Sequence, residues 1–369
     1  MRKPIAIDLF AGAGGLSEGF RHAGAIVAVS VEKDKHAAET QRRNHAYGKR
    51  IRTEVINEDV SRVPVARLTA ALKLFECSKP DVVMGGPPCQ GFSRSNMHTR
   101  NLRNPLNHLY ATFLCAAKQL VPPLVIIENV ANLPRFEHSI LDSRIIAALR
   151  SLGYGVQREV LNAVDYGIPQ KRKRVFYVGT RLSQAFDFPS PDARTTRPVT
   201  VWEAISDLSS LANGNETDEM PYGEPGPITD YQRLMRKGSS PSVRGNLVSR
   251  NGDLIMRRYR YIPQGGNWRD IPARLMQNYK DKSRCHEWIY RRLSEKEPSV
   301  TISNFRKNML IHPREDRGLS IREAARLQSF PDTFVFTGSI GFQQQQVANA
   351  VPPLLARAIG LSVRKHLGM

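Results

Sequence analysis

The chain has 369 residues, 41% hydrophobic and 24% charged, proportions of a globular protein with room for roughly two domains, so wholesale disorder is excluded. Its apolar runs, such as Leu124-Val125-Ile126-Ile127, fall far short of the ~20 residues a membrane span requires, and Met1-Arg2-Lys3-Pro4 leads into a short apolar run holding Asp8, unlike a secretory h-region. Lys and Arg number 54 against 34 Asp and Glu, a net charge of +20 that favours a polyanionic partner, most often nucleic acid.

Ile5–Phe10 predicts a first strand, followed by glycines and an amphipathic stretch from Leu16. Ala25–Val31 predicts a second strand ending at Glu32, and Asp81–Met84 a third ending at Gly85-Gly86-Pro87-Pro88. Leu124–Ile127 predicts a fourth, ending at Glu128-Asn129, and Arg174–Gly179 a fifth. Helical patterns cover Leu109–Leu120 and Ile140–Leu152. Short strands alternating with helices predict a parallel α/β sheet, whose ligands sit beyond the carboxyl ends of the strands. Gly12, Glu32, Cys89 and Glu128 all fall at such ends.

After residue 180 the alternation stops. Residues 181–230 hold 3 Lys/Arg against 9 Asp/Glu, whereas 231–314 hold 19 against 6. In the basic block, Arg257-Arg258-Tyr259-Arg260-Tyr261 interleaves cations with aromatics, a pattern suited to phosphate contact and base stacking. Ser320–Ser329 predicts a helix, with Ser320 and Glu323 spaced as a capping box. A last apolar helix runs from about Pro353 to His366.

Asp8-Leu9-Phe10-Ala11-Gly12-Ala13-Gly14-Gly15 follows the first strand and opens a helix. Glycines there permit a tight turn and close approach of backbone to ligand. The dinucleotide fingerprint Gly-x-Gly-x-x-Gly fails at Ser17, which weakens a diphosphate reading. Glu32 is placed to accept from ribose hydroxyls, and Asp59 from an adenine amino group; either acid alone serves equally well as a helix N-cap or surface acid.

Four cysteines in so long a chain make no disulfide framework and no Cys-x-x-Cys metal pair, which suits a reducing cytoplasm. Cys77, Cys115 and Cys285 read as structural. Cys89 sits in Gly86-Pro87-Pro88-Cys89-Gln90-Gly91-Phe92-Ser93, where prolines fix the backbone and aim the side chain, so it reads as a nucleophile. Glu128 suits a hydrogen-bond or proton donor if burial raises its pKa. If Gln170, Arg172 and Arg174 lie on one strand they share a face, able to hold a cation against a reacting base or a phosphate; a solvated basic edge is the plainer reading.

In order, these segments resemble the DNA cytosine-5 methyltransferases of bacterial restriction-modification type. The resemblance rests on Asp8–Gly15 with Phe20, the Pro-Pro-Cys-Gln loop, Glu128-Asn129-Val130, Gln170–Phe176, Leu319–Pro331 and Gln346–Pro353, and so spans the chain. It implies a Rossmann-like methyltransferase sheet with a smaller, irregular target-recognition domain. It implies S-adenosylmethionine as methyl donor and no metal. Phe10, Gly12 and Gly14 would line the donor pocket, Glu32 would hold the ribose, Asp59 the adenine, and Asn349 would close the methionine side.

The resemblance further implies that Cys89 attacks C6 of a cytosine flipped from duplex DNA. Glu128 would engage N3 and the exocyclic amine, and Arg172 would stabilise the base and position Glu128. Residues 1–183 and 335–369 would form the catalytic domain and 184–334 the target-recognition domain. Ser93–Arg103, with Arg94, Arg100 and Arg103, would close over DNA. A monomer is expected, with a separate cognate endonuclease as a companion activity. Ala348 departs from the usual glycine, and the acidic 181–230 segment matches no family motif. A tRNA-directed relative, a non-catalytic homologue and a Rossmann oxidoreductase remain as alternatives; intact Cys89, Glu128 and Arg172 oppose the second, and the broken glycine pattern opposes the third.

Overall fold

Ile5–Leu9, apolar but for Asp8 and buried at every residue, forms β1, an interior strand of a seven-stranded sheet. The computed structural model describes residues 2–46, 53–88, 109–134, 140–191, 197–223, 228–279, 287–303 and 305–369. Within these, the chain divides into two units: 1–166, 173–192 and 351–369 make the first, and 167–172 with 193–350 the second.

The first unit alternates strand and helix as the sequence predicts. After β1 come α1 (Gly15–His22), β2 (Ile26–Val31), α2 (Lys35–Gln41), β3 (Glu54–Ile56), α3 (Val65–Leu72), β4 (Val82–Gly85), α4 (Leu109–Leu120), β5 (Leu124–Val130) and α5 (Ile140–Ser151). Then β6 (Gly155–Asn162) and β7 (Lys173–Thr180) complete the sheet, in the order β3-β2-β1-β4-β5-β7-β6. Strands β1 to β5 pair in parallel, while β7 runs antiparallel to both β5 and β6. The expectation of an all-parallel sheet is corrected at this edge. Only residues 163–172, with a short 3-10 turn, join β6 to β7, too few for a crossover helix, so β7 runs back.

The strand order switches direction between β1 and β4, and loops from their carboxyl ends diverge there to leave a crevice. The apolar core packs Ile7, Leu9, Val29 and Val31 with Phe113, Leu120, Val125 and Ile127. The helix α12 (Pro353–His366) returns to cover α1. The two approach at backbone distance: a β-carbon on Gly19 would fall 2.3 Å from Ala356 Cβ, and one on Gly360 2.8 Å from Ala23 Cβ.

The second unit has short elements: α6 (Val201–Ile205), β8 (Glu219–Pro221), α7 (Asp230–Met235), β9 (Ser242–Arg244), α8 (Asp253–Tyr259), α9 (Phe305–Asn308), α10 (Ile321–Leu327) and α11 (Ile340–Asn349). With so few ladders, ion networks supply much of its order. Ser320 caps α10 in a full capping box with Glu323, as its spacing predicts. Burial alone would raise Glu323, but the fork of Arg317 holds it down to about 2. Arg326, fully buried, donates to Asp332, Asp207 and the Ala204 carbonyl. The acidic segment thereby gains a role the sequence left blank. Asp207 neutralises Arg326, Glu203 closes the capping box of α6, and Asp218 accepts from the Gly245 N–H.

The second unit also keeps α11, which ends at Asn349, and the first unit resumes at Val351.

Candidate active site

The glycine loop leaves β1 through Phe10, whose φ of 58° is left-handed, a strained state for a side chain with a β-carbon. Gly12 is pinned at both ends of its peptide. Its N–H donates to Glu32 Oε2 at 2.8 Å and its carbonyl accepts from Gln41 Nε2 at 2.7 Å. The other oxygen of Glu32 accepts from the Asp34 N–H at 2.8 Å. Burial pushes the Glu32 carboxyl above the usual range, and these backbone donors pull against it. Gly12 has φ of +56° and would carry a β-carbon into open space, so the loop turns a bare backbone face to the crevice.

Behind the loop, Asp8 is fully buried and accepts from Ser17 Oγ at 2.6 Å. Burial lifts its carboxyl to about 7. Sequence reasoning passed over Asp8, although an acid inside an otherwise apolar strand was the available signal. Asp59 is the N-cap of a short 3-10 turn, Val60–Arg62. Its Oδ1 accepts from the Ser61 N–H and hydroxyl, and Oδ2 from Lys33 Nζ at 3.0 Å; these bonds hold its carboxyl at about 2. The plainer reading of Asp59 as a cap is therefore realised.

The second loop of the crevice follows β4. Gly86 leaves room for the carboxylate above it: a β-carbon there would fall 2.9 Å from Glu128 Oε2, so Glu128 would have to shift. Glu128 stands near the end of β5, its side chain 12% exposed, and its Oε1 lies 2.9 Å from Arg174 Nε. The neighbouring Asn129 donates from Nδ2 to the Pro87 carbonyl at 3.1 Å. Asn129 thus holds the Gly86-Pro87-Pro88 segment that leads into position 89, with Glu128 lying over Gly86. Cys89 itself, the Ser93–Arg103 segment and Cys285 lie outside the described residues.

The side chain that pairs with Glu128 is Arg174. β7 begins at Lys173, and its antiparallel register sets Val130 against Arg174 and Glu128 against Phe176. Alternation then puts Arg174 on the Glu128 face. Burial pushes the Arg174 guanidinium down, and the Glu128 charge pulls it back. Gln170 and Arg172 precede the strand, so the three side chains do not share one strand face. Arg172, fully buried in the second unit, donates to the carbonyls of Ile302, Ala348 and Ala350 at 2.9–3.0 Å. It is placed to hold the α11 terminus next to Asn349. Asn349 is exposed, and its Oδ1 accepts from Gln345 at 2.9 Å.

The basic block is only partly a surface. Arg258 and Tyr259 are buried, and Arg258 donates to the Leu275 carbonyl and the Tyr290 hydroxyl. Arg292 is also buried, donating to the carbonyls of Tyr259, Ile262 and His312. Of the Arg257–Tyr261 run, Arg257, Arg260 and Tyr261 are exposed. Nearby, exposed Arg274 donates to the Tyr261 hydroxyl at 2.9 Å, and Arg269 lies 5.4 Å from the Trp268 ring. Among the described residues, no group of His, Cys, Asp or Glu is arranged to hold a metal, and no helix is long and apolar enough to cross a membrane.

Comparison with known proteins agrees with this geometry. A family model of C-5 cytosine-specific DNA methylases matches residues 5–365. The chain is 34% identical over 360 residues to Type II methyltransferase M1.HphI of Haemophilus parahaemolyticus, covering 97% of this chain and 86% of that protein. It is 32% identical over 375 residues to Type II methyltransferase M.DdeI of Desulfomicrobium norvegicum, covering 96% and 86%. Among solved structures, a candidate DNA modification methyltransferase encoded within an E. coli prophage superposes with a TM-score of 0.78 at 24% identity, covering 100% of both chains. The S. pombe Dnmt2 methyltransferase superposes at 0.59 and 14%, again over 100% of both chains. Those two likenesses are of fold, the Rossmann-like sheet of methyltransferases. Because the family model spans nearly the whole chain, the chain belongs to the C-5 cytosine-specific DNA methylases.

Proposed function

We propose that this methyltransferase takes its methyl group from S-adenosylmethionine and delivers it to C5 of a cytosine flipped from duplex DNA, through a transient bond from Cys89 to C6. The observation that carries this reading is Glu128, held by Arg174 on one side and seated against Gly86 on the other, in the loop that runs into Cys89.

The first crevice loop fits a nucleoside sulfonium. The open side of Gly12 admits a ligand against the backbone, with Phe10 and Gly14 flanking it. Glu32 keeps lone pairs for ribose hydroxyls after its two backbone bonds. Asp59, with three bonds made, keeps one acceptor site for an adenine amino group. Asn349, its amide oxygen taken by Gln345, has its amino group to offer a carboxylate. When bound, S-adenosylmethionine supplies an electrophilic methyl group.

C5 of cytosine is a poor nucleophile. Addition of the Cys89 thiolate at C6 gives C5 enamine character. Glu128 engages N3 and the exocyclic amine, which draws electron density from the ring as the bond forms. Arg174, not Arg172, orients Glu128. Once C5 carries the methyl group, loss of its proton to water expels the thiolate and restores the ring. Extrusion of the base is necessary because neither ring face is reachable within the stack. In this reading the second unit is the target-recognition domain, and Arg257, Arg260, Tyr261, Arg269 and Arg274 meet the duplex. The chain works as a monomer in the cytoplasm, beside a cognate endonuclease.

The test is a trap. Duplex DNA carrying 5-fluorocytosine cannot lose a proton from C5, so protein incubated with it and S-adenosylmethionine should remain covalently attached. Cys89→Ala should give no adduct, and tRNA should not replace the duplex. Full methylation by Cys89→Ala would overturn the mechanism.

A further inference from the structure

The two glycines of the donor loop face opposite ways. A β-carbon on Gly12 would meet nothing within 4 Å, whereas one on Gly14 would fall 2.8 Å from His45 Cε1 and 3.1 Å from Gln41 Cγ. Gly12 is bare for a ligand; Gly14 is bare for a side chain packed behind the loop.

That side chain arrives by an unusual route. α2 does not stop at Gln41 but continues into a π-helical turn, Arg42–Ala46. Such turns are rare and are concentrated at functional sites. Here the widened turn carries His45, which is fully buried, over Gly14. Its Nε2 donates to Glu18 Oε2 at 2.8 Å. Glu18 is itself buried, and its Oε1 lies 3.3 Å from His22 Nε2. The contacts close a circuit. Gly14 begins α1, α1 carries Glu18, Glu18 grips His45, and the His45 ring fills the space above Gly14. One turn earlier Gln41 anchors the carbonyl of Gly12.

We propose that His45, gripped by Glu18, is a positioning residue for the methyl donor: it sets the height and tilt of the Gly12–Gly14 backbone against which the donor lies. The proposal rests on the donor reading given above. It separates two kinds of residue near the loop, those that touch the donor, such as Glu32, and a brace that never does.

The experiment uses the full chain and S-adenosylmethionine. His45→Leu keeps much of the bulk and removes the hydrogen bond. It should raise KM and Kd for S-adenosylmethionine about tenfold, while kcat at saturating donor and Kd for duplex DNA stay within about twofold. Glu18→Leu should repeat that pattern, and Glu18→Gln, which keeps an acceptor for the ring, should recover most of the affinity. The Glu18 pair tests the idea without altering the ring, so a poorly folding His45→Leu does not block it. Unchanged donor affinity in Glu18→Leu, or a fall in kcat with KM unmoved, would overturn the proposal. A wild-type chain that binds no S-adenosylmethionine is a different failure, that of the donor reading itself.

Discussion

Replacing Asp8 with asparagine probes the floor of the donor loop. The carboxyl is fully buried; Oδ2 accepts from Ser17, while Oδ1 has no hydrogen-bond partner among the described residues. Burial, aided by the charge of Glu32 and opposed by Ser17, lifts its pKa from 3.8 to about 7. Between those values the folded chain holds a proton that the unfolded chain has lost, so stability falls as pH rises. The contribution is fully present below pH 3.8 and is lost as pH climbs through about 7. At ~1.4 kcal/mol per pKa unit, Asp8 should lower the stability of the wild-type chain by roughly 3 kcal/mol between pH 5 and pH 8. Asparagine keeps the shape and an acceptor for Ser17 but carries no charge to bury. The stability of Asp8→Asn relative to wild type should therefore rise by that amount over the same interval. Urea unfolding at constant ionic strength measures it, with the denaturant slope unchanged. Parallel pH profiles for the two proteins would refute the assignment of a proton to this buried carboxyl.

Other substitutions separate chemistry from architecture. Arg174→Met should cut single-turnover methylation by about a hundredfold or more, since it removes the partner that orients Glu128, with little change in thermal stability by comparison. Arg172→Met should instead lower Tm by several degrees, because three buried carbonyls lose their donor; equal losses of rate and stability in the two variants would contradict the division of labour. Gly86→Ala should slow methylation at least roughly tenfold while leaving DNA affinity intact, as its methyl group would displace the Glu128 carboxylate. In binding isotherms across a salt series, Arg257→Ala and Arg260→Ala should each flatten the slope of log K against log salt by about 0.9, whereas Arg258→Ala should leave the slope alone and reduce stability.

What could be read from the sequence followed from local chemistry. β1, β2, β4 and β5 are apolar runs ended by glycine or acid, and α10 and α12 carry a capping box and an N-terminal proline, so each is dictated by its own residues. β3 is too short to show a period, and β6, at the sheet edge, is exposed along most of its length and so lacks an apolar signature. The antiparallel turn of β7 depends on β6, and was hidden with it. Glu32 and Glu128 announced themselves by standing at strand ends. Which of Arg172 and Arg174 meets Glu128 was not legible, because it follows from the register of β7, which sets Val130 against Arg174 and starts the strand after Arg172. Arg258 and Arg292 misled for a related reason: arginine serves equally as a phosphate ligand and as a buried bracket for carbonyls, and composition does not record which way a guanidinium points. His45 left no signal, since its place over Gly14 depends on one wide helical turn.

The backbone contact between α1 and α12 has a consequence for biosynthesis. Arg364 reaches the Ala23 carbonyl across 341 positions of sequence. α1 is thus synthesised well over 300 positions ahead of the helix that covers it. Until α12 emerges, the apolar flank of α1 must wait in contact with chaperone or solvent.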